Sequence, residues 1–354
     1  MISRPDQRRR TQLAIAAGAA FILAGLAITA IILDARETWR PVVSGPVLPG
    51  WNSAVESARA IEIAGEERFS LEQVEGVWRM PSRDGYPVRP ERLAELDAYL
   101  AALTYEGART ANPERLARIG LAEPGEAGGG TRITVSGADG AALADILLGE
   151  TRGERVYVRQ PGRNRAFAAR LGDGAVVRPD LVPADAWLDL DFLELGINEI
   201  ARVDVQPESG PDYRLERAAT SVRNFSLRRP GGWQMITAAA GNGPAATLGR
   251  VRFRDVRRAD RLGGEFVASH TAETFSGLRV RIDVKALGDT RWALITASAI
   301  TDDAEAETAA INARTEDWAY LMSDLTVDRL IRPLDRIADA RVAPEASEEP
   351  EDAP

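Results

Sequence analysis

The chain of 354 residues has no cysteine, a single histidine (His270) and a single lysine (Lys285), and aromatic residues make up only 6% of it. Each absence closes off a chemistry. Without cysteine there is no disulfide framework, no thiol nucleophile and no zinc site of the Cys/His kind. One histidine excludes a His pair and leaves any Ser-His-Asp triad to His270. That residue follows Ser269 directly, among Ala268, Thr271 and Glu273, with no Gly-x-Ser-x-Gly elbow in the chain. Lys285 has Ile282 three residues before it, so the Ser-x-x-Lys dyad is also missing.

Charge is abundant but mixed. Basic side chains number 44, all but one of them arginine, against 53 acidic ones, for a net charge of −9. Phosphate binding requires a basic stripe, and these arginines are scattered among acids, so no nucleic-acid partner is expected. Gly128-Gly129-Gly130 lacks both the Gly-x-Gly-x-x-Gly spacing and a following Gly-Lys-Ser/Thr; it reads as a flexible loop, and no cofactor is expected. The densest carboxylate set is Asp185, Asp189, Asp191 and Glu194. In a strand Asp189 and Asp191 would share a face and in a helix Asp191 and Glu194 would, either being an arrangement for paired glycosidase acids or a calcium set, although the calcium loop's glycine and ligand spacing are absent. No catalytic, cofactor-binding or metal-binding residue is assigned. Binding or hydrolysis of envelope polysaccharide through exposed carboxylates stands as the alternative function.

What is present is a long apolar run. Leu13 to Leu33 is 21 residues without a charge, about 31 Å as a helix against a hydrocarbon core of about 30 Å. Arg4, Arg8, Arg9 and Arg10 precede it against one acid, Asp6, which orients the N-terminus toward the cytoplasm. A cleaved signal peptide would have a shorter apolar stretch and a small-x-small site, and Asp34-Ala35-Arg36 is a poor one. Arg9-Arg10 starts a twin-arginine pattern that the next residues leave incomplete. Ala16, Ala20 and Ala24 form a small-residue stripe of the kind that lets transmembrane helices approach closely.

The organisation expected is therefore a basic arm (1–12), a transmembrane helix (13–33), a Pro/Gly-rich stalk (34–58), two α+β modules (59–195 and 199–338) and a disordered acidic tail (339–354). Ala60-Ile61-Glu62-Ile63 and Phe69-Ser70-Leu71-Glu72 alternate like strands, and the second leads through Glu75-Gly76 to Val77-Trp78-Arg79-Met80. Pro90 to Leu103 carries Leu93, Leu96, Leu100 and Leu103 at helical spacing. Asn112-Pro113-Glu114 opens a short helix that Gly120 closes. Ala201 to Val205 repeats the alternation of Ala60 to Ile63, Phe225 to Trp233 lines up with Phe69 to Trp78, and Leu278 to Val284 stands where Arg132 to Val135 stood. The exterior part thus reads as duplicated and mainly antiparallel. Trp78 and Trp233 in the hairpins, with Trp187 and Trp318 at the module ends, read as buried structural anchors.

This pattern resembles the bacterial domain-of-unknown-function family 4340. The likeness is carried by the basic-start anchor, Ile61 to Ile63, the Phe69 to Trp78 hairpin, Ile119-Gly120-Leu121-Ala122-Glu123-Pro124 before Ile133-Thr134-Val135, and Ile146-Leu147-Leu148-Gly149 before Val156-Tyr157-Val158. What the resemblance implies is a single-pass inner-membrane protein with its bulk in the periplasm. It also implies an accessory, non-enzymatic role beside ABC transporter permease and ATPase subunits similar to those of gliding motility, and it supplies no active-site residues. The arginine asymmetry predicts that a periplasmic reporter fused after Leu33 is active; an inactive fusion would invert the topology.

Overall fold

The computed structural model of the chain describes residues 24–30, 43–171, 178–249 and 251–341. Residues 24–30 are helical and exposed, and Ala24 is among them. The rest of the expected span, with Ala16 and Ala20, lies outside the described residues, as do the arm (1–12) and residues 342–354. Among the described residues no helix is long and apolar enough to cross a membrane.

Two compact units divide the chain: Met1–Arg79 with Val88–Ala186, and Met80–Pro87 with Trp187–Pro354. The first contains α1 (Trp51–Ala54), β1 (Ala58–Ala64), β2 (Arg68–Val74), β3 (Val77–Met80, its last residue excepted), α2 (Pro90–Ala102), β5 (Leu103–Ala108), β6 (Thr131–Gly137), β7 (Ala142–Arg152), β8 (Arg155–Arg159) and β9 (Ala166–Leu171), whereas the two-residue β4 (Tyr86–Pro87), which precedes α2 in the chain, is counted with the second unit. The nine-stranded sheet has the order β4-β3-β2-β1-β6-β7-β8-β9-β5. Its centre follows from alternation. Ile61 sits opposite Leu71 and Val135, Ile63 opposite Phe69 and Ile133, and all of these are buried, while Glu62 between them is exposed. Glu75 and Gly76 both take positive φ (51° and 81°), the backbone that a two-residue hairpin turn demands. Helix α2 begins with Pro90 in its first turn and buries Leu96, Tyr99 and Leu100.

The second unit contains β10 (Ile200–Gln206), β11 (Tyr213–Glu216), β12 (Ser226–Arg229), β13 (Trp233–Met235), α3 (Asn242–Ala245), β14 (Phe253–Arg258), β15 (Glu265–Thr274), β16 (Leu278–Leu287), β17 (Thr290–Ala299), α4 (Glu305–Thr315), β18 (Trp318–Met322), α5 (Asp324–Leu330) and β19 (Ala338–Ala340). Its eight-stranded sheet has the order β12-β11-β10-β15-β16-β17-β18-β14, and β13 pairs separately with β19. Apart from β4, the first sheet runs β3-β2-β1-β6-β7-β8-β9-β5, and the second repeats that order strand for strand. The two sheets thus share a strand order, and the correspondence expected from the sequence is corrected. β2 corresponds to β11, so Phe69 does not match Phe225, and Trp233 belongs to the separate β13–β19 pair. Likewise β6 corresponds to β15, and Leu278 to Val284 in β16 answers to β7.

Other boundaries also move. The stretch from Gly45, expected as free stalk, lies along β5: Pro46 bridges Thr104, Val47 N–H donates to Leu103 O (2.8 Å) and Tyr105 N–H to Gly45 O (2.9 Å), with Val47 and Trp51 buried. An extended Pro-containing segment satisfies the outer edge of β5 in this way. The short helix after Asn112 is two 3-10 turns, Pro113–Arg115 and Ala117–Ile119, with Asn112 capping and Gly120 closing at φ 69°. The tail expected from 339 first completes β19, and Arg341 N–H donates to Gly232 O (2.7 Å).

α4, inserted between β17 and β18, explains how β17 manages its own length. Of β17, only Trp292 to Leu294 pair with β18. Beyond that, the Asn312 amide of α4 donates to Ala297 O (2.9 Å) and accepts from Ala297 N–H (2.8 Å), taking the place of a strand. Asn312→Ala leaves both groups without a partner and is expected to lower the unfolding free energy in urea by about 1–3 kcal/mol; an unchanged midpoint would show that the amide carries no structural role.

Candidate functional site

The second sheet separates its side chains by parity. Val203, Val205, His270, Ala272, Val280, Ile282 and Val284 are buried on one side. The alternate positions form rows across the other, because register places Arg214, Asp204, Thr271, Arg281 and Thr296 in line, and beside them Glu216, Arg202, Glu273, Arg279 and Ser298. Arg202 donates to Glu216 (2.8 Å) and Glu273 (2.9 Å), and Glu273 also takes Arg279 (2.7 Å). Asp204 accepts two hydrogen bonds from Arg214 (2.6 and 3.1 Å) and lies 3.6 Å from Arg229. These hydrogen bonds hold the Arg214 guanidinium above its usual pKa, as Asp283 does for Arg281. A groove of about 480 Å³ opens on this face, with Ser269 and Thr271 along its floor and Asp204, Asp212, Arg229 and Arg281 around them. Its chemistry is that of paired charges and hydroxyls, suited to polar contact.

The same parity disposes of the serine and histidine. Ser269 and His270 are consecutive in β15 and therefore point to opposite faces, Ser269 into the groove and His270 into the core, where it is 0% exposed. His270 Nδ1–H donates to Leu330 O (2.8 Å), tying the end of α5 to the sheet, and Nε2 is buried with no hydrogen-bond partner among the described residues.

Two of the four carboxylates expected as a set, Asp189 and Asp191, are separately engaged. Asp189 pairs with Arg314 (2.9 Å) and Asp191 with Arg252 (3.3 Å). Among the described residues no three His, Asp or Glu side chains gather as a metal site. The glycine run is corrected from flexible loop to packed backbone. A Cβ on Gly128 would lie 2.4 Å from Ala117 O, on Gly129 2.5 Å from Glu123 O, and on Gly130 2.7 Å from both Gly120 O and Leu148 O. Of the tryptophan anchors, Trp187 and Trp318 are buried, the latter beneath the Arg258 guanidinium (4.5 Å) and edge-on to Tyr86 (4.9 Å). Trp78 and Trp233 are partly exposed, so the expected pairing of buried hairpin tryptophans does not hold.

Two polar centres were not foreseen from the sequence. Arg217 is buried with no carboxylate on it among the described residues; it donates to Ile197 O (2.6 Å), Ile200 O (2.7 Å) and Val222 O (3.2 Å) and lies over Phe225 and Phe275, and burial lowers its pKa. Asp84, at φ 54°, accepts the Arg258 backbone N–H (3.1 Å) and the Arg261 side chain (2.5 Å), which hold its carboxyl below the usual range. Met80–Pro87, expected in the first module, belongs to the second unit through these bonds, through Arg83 paired with Asp255, and through the Tyr86 hydroxyl donating to Asp189 O (2.8 Å).

Burial pushes His270 down to about 4 from an ordinary 6.5, against the opposing pull of Leu330 O and Asp204. The unfolded chain therefore takes up a proton near pH 6.5 that the folded chain refuses until about 4, so this contribution is complete above 6.5 and lost as pH falls. The expected loss approaches about 3 kcal/mol by pH 4. Urea titrations across this window should show a flatter pH dependence for His270→Asn than for the parent; identical slopes would refute the assignment.

Comparison with protein families matches residues 78–259, just over half of the chain, from β3 through β14. No curated protein and no solved structure matches. With the strand pattern from Trp78 through β14 inside that match, the chain belongs to the family described as domain of unknown function (DUF4340).

Proposed function

We propose that this protein is a membrane-anchored accessory of the cell envelope that works by protein contact. The apolar run Leu13 to Leu33 serves as a single span with the N-terminus in the cytoplasm, and the duplicated units lie in the periplasm beside the permease and ATPase of an ABC-type transporter. The observation that carries this reading is the outer face of the second sheet, where charges stand in cross-strand rows, each matched by a neighbour, around a groove floored by Ser269 and Thr271. Such a face presents hydrogen-bonding groups at fixed strand spacing to a polar partner surface. The same role is what the resemblance to this family implies for the chain. Asp189 and Asp191, each held by its own arginine, do not favour the polysaccharide alternative.

Affinity purification of the tagged full chain from detergent-solubilised membranes is expected to recover permease or ATPase subunits. Thr271→Arg, which fills the groove, should reduce that recovery at least tenfold without changing thermal stability. Recovery of the chain free of transporter subunits would count against the reading.

A further inference from the structure

A second depression in the second unit, about 690 Å³, lies where α5 and the end of β18 meet the β16–β17 turn. Its floor is apolar, formed by Leu321, Met322, Val327, Ile331 and Pro333, and Leu325 on the same helix stands 60% exposed. Its rim is acidic: Glu208, Asp289, Asp324 and Asp328 line it against Arg254 and Arg291. Glu208 is engaged by Arg291 (2.5 and 3.1 Å) and Asp328 by Arg332 (2.5 Å). Asp289 and Asp324 are exposed and accept no hydrogen bond or salt bridge among the described residues, Asp289 feeling Arg291 only through a longer-range attraction, so both carboxylates keep their hydrogen-bonding oxygens for a partner.

The volume lies within the roughly 300–1,000 Å³ span of ligand clefts, but Ser209, Asp289, Thr290, Asp324 and Asp328 are all exposed, so the site is a trough open along one side. A small ligand would stay largely in water there. An elongated occupant that sets apolar side chains on the floor and cations against the rim uses the whole trough, because the charge left over on the rim is negative.

We propose that this trough docks a short basic segment of another protein, in which lysine or arginine flanks apolar side chains. The proposal rests on the reading that the chain acts by protein contact and assigns that contact a place and a chemistry. Apolar side chains of the segment cover Val327 and Ile331, and its cations meet Asp289 and Asp324.

The test uses the full chain purified in detergent, with a fluorescein-labelled eight-residue peptide alternating leucine and arginine, its leucine–glutamate counterpart, and empty micelles as the blank. Fluorescence anisotropy is expected to show saturable binding of the arginine peptide and none of the glutamate peptide. Asp289→Lys with Asp324→Lys should weaken binding at least tenfold, and Val327→Asp should do the same. Asp302→Lys with Asp303→Lys, which removes equal charge from an exposed turn elsewhere in the unit, should change it less than twofold. Equal binding of both peptides, retention of affinity in the Asp289/Asp324 variant, or an equal loss in the Asp302/Asp303 variant would overturn the proposal. Because the peptide assay needs no transporter, its failure beside successful recovery of transporter subunits refutes the trough alone. Peptide binding without such recovery upholds the trough and refutes only the transporter role.

Discussion

The alternation of side chains along paired strands is the constraint on which the rest of this molecule depends. With no cysteine to cross-link the chain, each unit is held by burying one face of its sheet, at about 1.5–3 kcal/mol for each large aliphatic side chain removed from water. In β10, β15 and β16 the same parity that sends Val203, Ala272 and Ile282 inward sends Asp204, Thr271 and Arg281 outward. Core and polar face are two readings of one pattern. A slip of one residue in β15 would bring His270 out and carry Ser269 into the core, so the registers of the apolar and the charged sides are set together.

The two units show what a repeated strand order fixes and what it leaves open. Both carry a buried arginine whose guanidinium is spent on backbone carbonyls: Arg159 on Leu121 O and Arg163 O with Glu123 beside it, and Arg217 on three carbonyls alone. Arg159 ends β8 and Arg217 follows β11, and they close different loops, so these are separate solutions to one problem, that of carbonyls stranded where chain leaves a sheet. The second unit adds α4 between β17 and β18, where the first joins β8 to β9 by a short turn.

Local pattern was legible in the sequence because it is local. Ile61 and Ile63 announce a half-buried strand, Glu75-Gly76 announces a hairpin, and Pro90 with Leu96 and Leu100 announces a helix face. Which strand neighbours which is not local, and there the reading slipped by one strand: Phe225-Ser226-Leu227 has the letters of Phe69-Ser70-Leu71, whereas the true counterpart of those three, Tyr213-Arg214-Leu215, keeps only the leucine. The glycine run misled for a similar reason, since flexibility and close backbone approach use the same residue. The groove at Ser269 and Thr271 gathers β10, β12, β15 and β16, and no spacing along the chain brings those together. Arg217 offered a weak signal, lying between β11 and Phe225, but nothing in the sequence marks which of so many arginines is buried.

Asn312 has a consequence for how the protein keeps company. The far half of β17 would otherwise be a bare ladder, and a bare ladder recruits any extended chain, including another copy of itself. One carboxamide plugs it from a helix, occupying the donor and the acceptor of Ala297 together. At Ala297 the edge is therefore closed to an incoming strand, and a partner that meets the second unit at this point must recognise side chains.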